Sequence, residues 1–316
     1  MTTQKITKSN KIIQDIGTEI GSKYDWKRRN RTQTMEHIIH GIFLLLGLIT
    51  VGCVLLITVY LVISGIPAIR EIGLTDFLFG KEWASTAGEP KYGILPFILT
   101  SIYGTAGAIL IGVPIGFMTA VYLSKMASSK VKAAVQSAVS LLAGIPSVVY
   151  GLVGMLVLVP GIRKTFDVPD GASLLAAIIV LAIMILPSII KMSVTALDAV
   201  PKEYEDASLA LGATPVETYF KVSVPAAKSG IAAAVVLGIG RAIGEAMAVM
   251  MVAGNVPNMP DSLFQSVRFL TTAVSSEMSY SSGLQRQALF SIALVLFLFI
   301  MLINATLNFF LKREKD

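Results

Sequence analysis

Residues 201–227 have the sequence PKEYEDASLALGATPVETYFKVSVPAA, a polar stretch between two long apolar runs of the chain. Within this stretch, residues 202–211 favour a short helix. Gly212 permits a turn after that helix, because glycine adopts a positive φ angle without steric cost. The first half of the stretch therefore predicts one short helix that ends at a glycine turn.

The second half of the stretch contains a helix start. Thr214 fits an N-cap, Pro215 fits the first helical position, and Glu217 stands three residues after Thr214, as a capping box requires. Two short helices joined at Gly212 would form a compact knob, a shape that suits docking into a groove on a partner. The alternative is an ordinary loop between two longer helices.

The apolar runs on both sides of this stretch are typical of the whole chain. Its 316 residues are 54% hydrophobic and only 15% charged, with a mean hydropathy of +0.73, which is more apolar than a soluble domain needs. We therefore expect an integral membrane protein. In such a protein the net charge of +6 indicates orientation more than nucleic-acid binding, and the single Cys53 excludes a disulfide within the chain.

Six runs meet the length of about 20 apolar residues that one helical span needs. The sequence thus predicts an all-α polytopic membrane protein with six transmembrane helices. The predicted spans are residues 41–69, 92–124, 133–162, 171–190, 230–255 and 287–311. Gly112 and Gly116, and likewise Gly240 and Gly244, have the G-x-x-x-G spacing that lets helices pack closely.

Lysine and arginine are distributed unevenly between the two sets of connections. With the N-terminus inside, the cytoplasmic segments hold seventeen of them and the outer connections seven, which assigns both termini to the cytoplasm. We divide the chain into a basic cytoplasmic segment, residues 1–36, and a transmembrane domain, residues 37–316, with its cytoplasmic loop at 201–227. The first segment is either an amphipathic helix on the membrane surface or a basic tail that only sets topology, ahead of an uncleaved first span.

The loop also matches a known pattern. Its spacing resembles the E-A-A-x3-G-x9-I-x-L-P loop (EAA loop) of bacterial ABC importer permeases. The matching positions are Asp206, Ala207, Ser208, Gly212, Val222, Val224 and Pro225. In that family the loop seats in a cleft of an ATPase subunit, so the resemblance implies a separate ATPase that contacts Asp206, Ala207, Ser208, Gly212 and Pro225. The chain has no G-x-x-x-x-G-K-[ST] phosphate loop of its own, which fits a permease that is not itself an enzyme.

Two charges lie inside the fifth predicted span. Arg241 lies roughly 17 Å along a helix from Gly230, near the middle of a bilayer, where a charge costs about 2.5–3.5 kcal/mol. Arg241 and Glu245 are four residues apart, so on one helix they would share a face and form an ion pair. One interpretation is a purely structural pair. The other is an anion site, in which the guanidinium binds two oxygens and Glu245 accepts a hydrogen bond from a protonated phosphate oxygen, which sulfate lacks.

Longer segments carry a wider resemblance. The segments are YGILP at 92–96, LLAGIPSVVYGL at 141–152, MILP at 184–187 and GRAIGEAMAV at 240–249. They resemble the C-type permease subunits of Pst phosphate ABC transporters from about residue 91 to the C-terminus. The resemblance implies a type I ABC importer permease fold, a multi-pass protein of the cytoplasmic membrane, and Arg241 and Glu245 along the phosphate path. It also implies an A-type permease, two ATPase subunits and an extracytoplasmic phosphate-binding protein as partners, without nucleic acid.

Two other functions stay open at this point. An ABC permease for another oxyanion, such as molybdate, tungstate or sulfate, would share the loop. A carrier driven by an ion gradient would not need a motor. No nucleophile and base arrangement indicates an enzyme, and His37 and His40, three apart without nearby Cys or carboxylates, are a poor metal site, so we expect no metal and no cofactor.

Overall fold

The computed structural model describes the backbone of residues 2–313 and the side chains of residues 35–306. The chain divides into two units, Met1–Tyr60 and Leu61–Asp316. Helix α1 (Thr2–Ile72) supplies the first unit, and its side chains from residue 35 to residue 60 are almost all exposed. The surface position that we expect for residues 1–36 depends mainly on side chains outside the described ones, so it stays a prediction.

The elements after α1 are mostly helical. They are α2 (Leu74–Phe79), β1 (Trp83–Ala84), β2 (Lys91–Tyr92), α3 (Leu95–Val121), α4 (Ser129–Gly144), α5 (Ser147–Val153), α6 (Val159–Phe166), α7 (Leu174–Asp198), α8 (Lys202–Ala210), α9 (Pro215–Thr218), α10 (Val224–Ala226), α11 (Lys228–Gly244), α12 (Met247–Val252), α13 (Leu270–Glu277) and α14 (Gly283–Arg313). Wider π-helical turns at Tyr122–Met126, Gly154–Leu158 and Tyr219–Ser223 continue α3, join α5 to α6 and join α9 to α10. The two strands pair antiparallel.

Within the described residues, five helical segments are long and apolar enough to cross a membrane. They are Met35–Ile72, Leu95–Met126, Ser147–Phe166, Leu174–Asp198 and Gly283–Thr306. A sixth span is counted if the bent pair Pro215–Ala226 and Lys228–Gly244, which meet at 72°, forms one. The predicted all-α architecture with six spans agrees with this range.

The third predicted span, residues 133–162, is wrong as a single helix. Helix α4 ends at Gly144, and Ile145 has an extended backbone with φ −70° and ψ 128°. The cause is Pro146, because a proline clashes with a helical residue before it and has no N–H for the ladder. The span therefore begins at Ser147, and α4 is a separate helix.

The fifth predicted span, residues 230–255, is also broken. Helix α11 ends at Gly244, Glu245 is extended with φ −73° and ψ 128°, and α12 begins at Met247. Gly244 is a weak helix former, and the carboxylate Oε1 of Glu245 accepts a hydrogen bond from the backbone N–H of Ala248 at 2.9 Å. This bond stabilises a new helix start where hydropathy alone predicts a continuous span.

Helix α7 lies at the centre of the second unit and packs against α3, α4 and α11. Gly112 and Gly116 of α3 face Ile185 and Ile189 of α7, so the predicted close packing at this G-x-x-x-G pair is confirmed. At Gly240 and Gly244, by contrast, an added Cβ would meet no described atom within 4 Å. The close packing predicted for that second pair is wrong within the described part of the chain.

We expect Gly112→Val to destabilise the fold by about 1–3 kcal/mol, the usual cost of overpacking a core. A Cβ at this position would lie 2.7 Å from Cδ1 of Ile185 and 3.2 Å from the carbonyl oxygen of Ala182. Thermal unfolding of the detergent-solubilised complex measures the effect. Gly161→Ala is the matched control, because a Cβ there meets no described atom within 4 Å and its unfolding temperature should not fall.

A buried carboxylate ties together the segments around α13. Glu277 of α13 pairs with Arg268 and accepts hydrogen bonds from the indole of Trp83 at 3.3 Å and from the amide of Gln285 at 3.0 Å. Arg268 also donates to the carbonyl oxygen of Asn255 at 2.8 and 2.9 Å. The short hairpin, the segment after α12 and the start of α14 are thus held to one another through Glu277.

Candidate functional site

Arg241 lies one turn before the end of α11 and is half-buried. Its Nη1 donates a hydrogen bond to Oγ of Ser188 on α7, at 3.2 Å. Among the described residues it forms no ion pair. A guanidinium carries five N–H donors, so most of its hydrogen-bonding capacity remains for another group.

The predicted ion pair between Arg241 and Glu245 is wrong. The two residues do not share a helix, because the backbone leaves the α11 helix at Glu245. The Glu245 carboxylate binds the N–H of Ala248 instead, and the Glu245 carbonyl oxygen accepts a hydrogen bond from Oγ1 of Thr271 at 2.7 Å. The interpretation of Arg241 and Glu245 as a purely structural pair therefore falls, and the charge of Arg241 lacks a carboxylate counter-ion among the described residues.

A cavity of about 710 Å³ lies beside Arg241, between α7, α11 and α14. Its polar side chains are Ser188, Arg241 and Asn304, and apolar residues such as Met192, Val236 and Leu237 line the rest. A positive charge in an apolar, weakly polarisable wall interacts with an opposite charge more strongly than it would in water. The cavity can therefore hold a small anion against the guanidinium.

Sequence reasoning missed Ser188 and Asn304. Ser188 gives no signal of its own, because a serine beside a proline is common in a membrane helix. Asn304 did give one, since an amide inside the apolar run of α14 is costly to bury without a partner. Neither could be assigned to Arg241 from sequence, because Ser188 lies 53 residues before it and Asn304 lies on another helix.

The loop at 201–227 folds as predicted. Helix α8 covers Lys202–Ala210, and Gly212 has a φ of +90°. Oγ1 of Thr214 accepts a hydrogen bond from the N–H of Glu217, and the Glu217 carboxylate accepts one from the N–H of Thr214, which completes the capping box. The two short helices and the glycine turn between them are confirmed.

Hydrogen bonds lower the pKa of Glu217 below its ordinary value of 4.5. The backbone N–H of Thr214 is the main cause, followed by the Thr214 hydroxyl and by Lys221. The pKa of Glu217 is lower in the folded loop than in the unfolded chain. The cap therefore stabilises the loop fully at a pH above 4.5, and this stabilisation is lost as the pH falls through the lowered pKa. The capping box is therefore fully formed at neutral pH.

The predicted contact residues of the loop are mostly accessible. Asp206, Ala207, Gly212 and Pro225 are exposed, whereas Ser208 is half-buried and its hydroxyl bonds to that of Thr218 at 2.9 Å. Large apolar side chains are exposed beside them. These side chains, which we call the loop patch, are Tyr204, Leu209, Leu211, Val216 and Phe220, and Leu211 is 90% exposed. Exposed apolar groups on a polar loop indicate a surface that a partner covers.

The base of the loop contains a buried ion pair that sequence reasoning also missed. Nζ of Lys125, in the turn after α3, lies 2.6 Å from Oε1 of Glu205 on α8, and the two side chains are only 9% and 17% exposed. Lys125 also donates to the carbonyl oxygen of Leu197 at 2.9 Å, and Ser223 donates to Glu205 at 2.9 Å. The sequence presented Lys125 only as one more cytoplasmic lysine.

Comparisons with known proteins give the family of this chain. The family described as "Binding-protein-dependent transport system inner membrane component" matches residues 112–315. The "Probable ABC transporter permease protein YqgH" of Bacillus subtilis is 41% identical over 266 residues, 82% of this chain and 86% of the relative. The "Phosphate transport system permease protein PstC" of Haemophilus influenzae is 34% identical over 278 residues, 81% of this chain and 86% of the relative. The protein of the same name in Pasteurella multocida is 33% identical over 242 residues, which are 71% of this chain and 75% of the relative.

One solved structure gives the likeness in fold. It is the MetNI methionine ABC transporter in inward-facing conformations, which superposes with a TM-score of 0.52 over 70% of this chain and 94% of that chain. The sequence identity is 21%, so this likeness concerns the fold alone.

Proposed function

This chain belongs to the family of binding-protein-dependent transport system inner membrane components, as a multi-pass ABC importer permease of type I fold, and we propose that it translocates inorganic phosphate. Family membership removes the carrier driven by an ion gradient from the alternatives. Relatives named phosphate transport system permease protein PstC support phosphate over molybdate, tungstate or sulfate.

The environment of Arg241 is the observation that carries the proposal. Its guanidinium lines a cavity within the transmembrane domain, with one hydroxyl partner and without a carboxylate among the described residues. A charge at such a depth is expensive, and charged residues in spans mark substrate or ion pathways. A planar fork of donors suits two oxygens of a tetrahedral oxyanion, so we assign Arg241 to the phosphate path.

We give Glu245 a different part in the same path. Its carboxylate holds the first turn of α12, and so it fixes the break in the backbone four residues after Arg241. Glu245 then acts as a positioning residue that keeps the end of α11 in place beside the cavity.

The loop at 201–227 is the proposed site for the motor. We propose that Asp206, Ala207, Ser208, Gly212 and Pro225 form the frame of the contact with an ATPase subunit, and that the loop patch supplies the apolar surface. The rest of the assembly would comprise an A-type permease, a second ATPase and an extracytoplasmic phosphate-binding protein. This requires the loop and both termini to face the cytoplasm, with residues 1–36 as a separate basic segment ahead of the transmembrane domain.

Uptake by vesicles tests the substrate. The vesicles would contain this chain, its partner permease and the ATPase, with the binding protein added outside and ATP enclosed. We expect phosphate uptake that requires ATP and that excess sulfate does not inhibit. Full competition by sulfate, or uptake without ATP, would overturn the proposal.

Leu211→Asp tests the motor contact. Leu211 is 90% exposed, so the change should leave the permease fold intact while it places a charge in the apolar surface that the ATPase covers. We expect the affinity for the ATPase to fall by about tenfold, the effect of losing a moderate apolar anchor. Co-purification of the ATPase with the permease pair measures it. Leu263→Asp, at a 49% exposed residue distant from the loop in sequence, should leave the co-purified amount unchanged.

A further inference from the structure

Asn304 brings a neutral amide into the cavity beside Arg241. Residues 294–303, which precede it on α14, are all apolar. Asn304 is half-buried, and it makes no hydrogen bond with any described residue. Moving an amide out of water without a partner costs about 1–3 kcal/mol in proteins, so a ligand in the cavity that bonds to Asn304 would recover that cost.

Ser188 places a second neutral group against the same guanidinium. Its oxygen accepts the hydrogen bond from Nη1 of Arg241 at 3.2 Å. A hydroxyl can donate one hydrogen bond while it accepts another, and the hydroxyl hydrogen of Ser188 has no acceptor among the described residues. Arg241 and Ser188 therefore both present donors to the cavity.

Donors alone do not distinguish phosphate from sulfate, because both ions offer unprotonated oxygens. Phosphate retains a proton near neutral pH, whereas sulfate does not, so discrimination needs an acceptor. Glu245 does not line the cavity, and its carboxylate binds Ala248. Among the side chains that line the cavity, the amide oxygen of Asn304 is the acceptor without a partner, and being neutral it does not repel the anion as a carboxylate would.

We infer that Asn304 is a specificity-determining residue, whose Oδ1 accepts the proton of phosphate while Arg241 and Ser188 donate to the unprotonated oxygens. This inference rests on the proposed function of Arg241 as a phosphate site. It replaces the acceptor role that the sequence suggests for Glu245. A site without the bond from phosphate to Asn304 should lose affinity for phosphate and keep its affinity for sulfate.

Protection of Arg241 from phenylglyoxal tests the inference. The complex with its partner permease and ATPase is purified without the binding protein, so that the selectivity of that protein does not enter. Modification of Arg241 is followed by mass spectrometry while inorganic phosphate or sulfate is added at matched ionic strength. In the wild type we expect phosphate to protect at lower concentration than sulfate.

The variants separate specificity from general binding. Asn304→Leu should raise the phosphate concentration for half-protection by about threefold to tenfold, the effect of one hydrogen bond, and leave that for sulfate unchanged. Ser188→Ala should weaken both protections equally. Thr306→Val is the control on the same helix, because Thr306 is exposed and its hydroxyl donates to the Leu302 carbonyl.

Each other outcome has a defined meaning. If Asn304→Leu keeps the wild-type preference for phosphate, or if both anions protect the wild type equally, the role of Asn304 is overturned while the anion site survives. If neither anion protects the wild type, the proposed role of Arg241 fails, and the role of Asn304 fails with it.

Discussion

Arg241→Ala is expected to lower ATP-driven phosphate uptake by about a hundredfold or more, because it removes the only charge that the cavity offers to an anion among its lining residues. If the assembled transporter closes around the anion, losing a charged partner costs about 2–5 kcal/mol, and 1.4 kcal/mol corresponds to a factor of ten. The measurement is initial uptake by vesicles that contain the full complex. Assembly should be unaffected, since Arg241 forms one hydrogen bond and no ion pair with the described residues.

Two further variants show whether charge or geometry matters at this position. Arg241→Lys keeps the charge but loses the planar fork, so we expect an intermediate loss of about tenfold. Arg286→Ala removes an exposed arginine at the start of α14 and should transport as the wild type does. Normal uptake by Arg241→Ala in an intact complex would remove Arg241 from the phosphate path.

How far the sequence predicted this structure depended on the range of the interactions involved. The capping box of Thr214 and Glu217 and the turn at Gly212 were predicted because all their atoms lie within a few residues. The number of spans was predicted to within one, because about 20 apolar residues have few alternatives to a helix in lipid. Local patterns of this kind gave both the loop and the architecture.

The errors arose where hydropathy stays uniform while the backbone changes. The breaks after Gly144 and Gly244 both lie inside apolar runs, and they are set by Pro146 and by the bond from Ala248 to Glu245. Pro146 is visible in the sequence, but a proline within a span can also cause only a kink, so the break did not follow from it alone. The bond to Glu245 was not visible, because Glu245 could equally well continue the helix and face Arg241.

The composition of the cavity and of the loop base lay beyond local patterns altogether. Ser188 and Arg241 are 53 residues apart, and Lys125 and Glu205 lie in separate connections. Each of these residues has an ordinary role when it is considered alone. The packing of α7 against α11 brings Ser188 to Arg241, and the approach of α8 to the turn after α3 brings Glu205 to Lys125.

Breaking the ion pair of Lys125 and Glu205 is expected to destabilise the permease by about 3–5 kcal/mol, because either single change leaves a buried charge without its partner. The side chains are 9% and 17% exposed, so water compensates little. We expect Lys125→Met and Glu205→Gln each to lower the unfolding temperature of the complex, and the double variant to recover most of the loss. The control is the pair of Lys221 and Glu217, whose side chains are 75% and 48% exposed. Lys221→Met should lower the free energy of unfolding by no more than about 0.5 kcal/mol.

The same pair should also matter for coupling between the motor and the cavity. Lys125 joins α8 to the carbonyl of Leu197 at the end of α7, and α7 carries Ser188, which contacts Arg241. A movement of α8 with the ATPase would thus reach the cavity through α7, and a loosened pair should raise the ATP hydrolysed per phosphate imported. In the double variant, stability returns but the charged link does not, so uptake per ATP should stay low. If the double variant recovers both stability and the wild-type ratio, the pair only stabilises the fold, and the motion reaches α7 by packing alone.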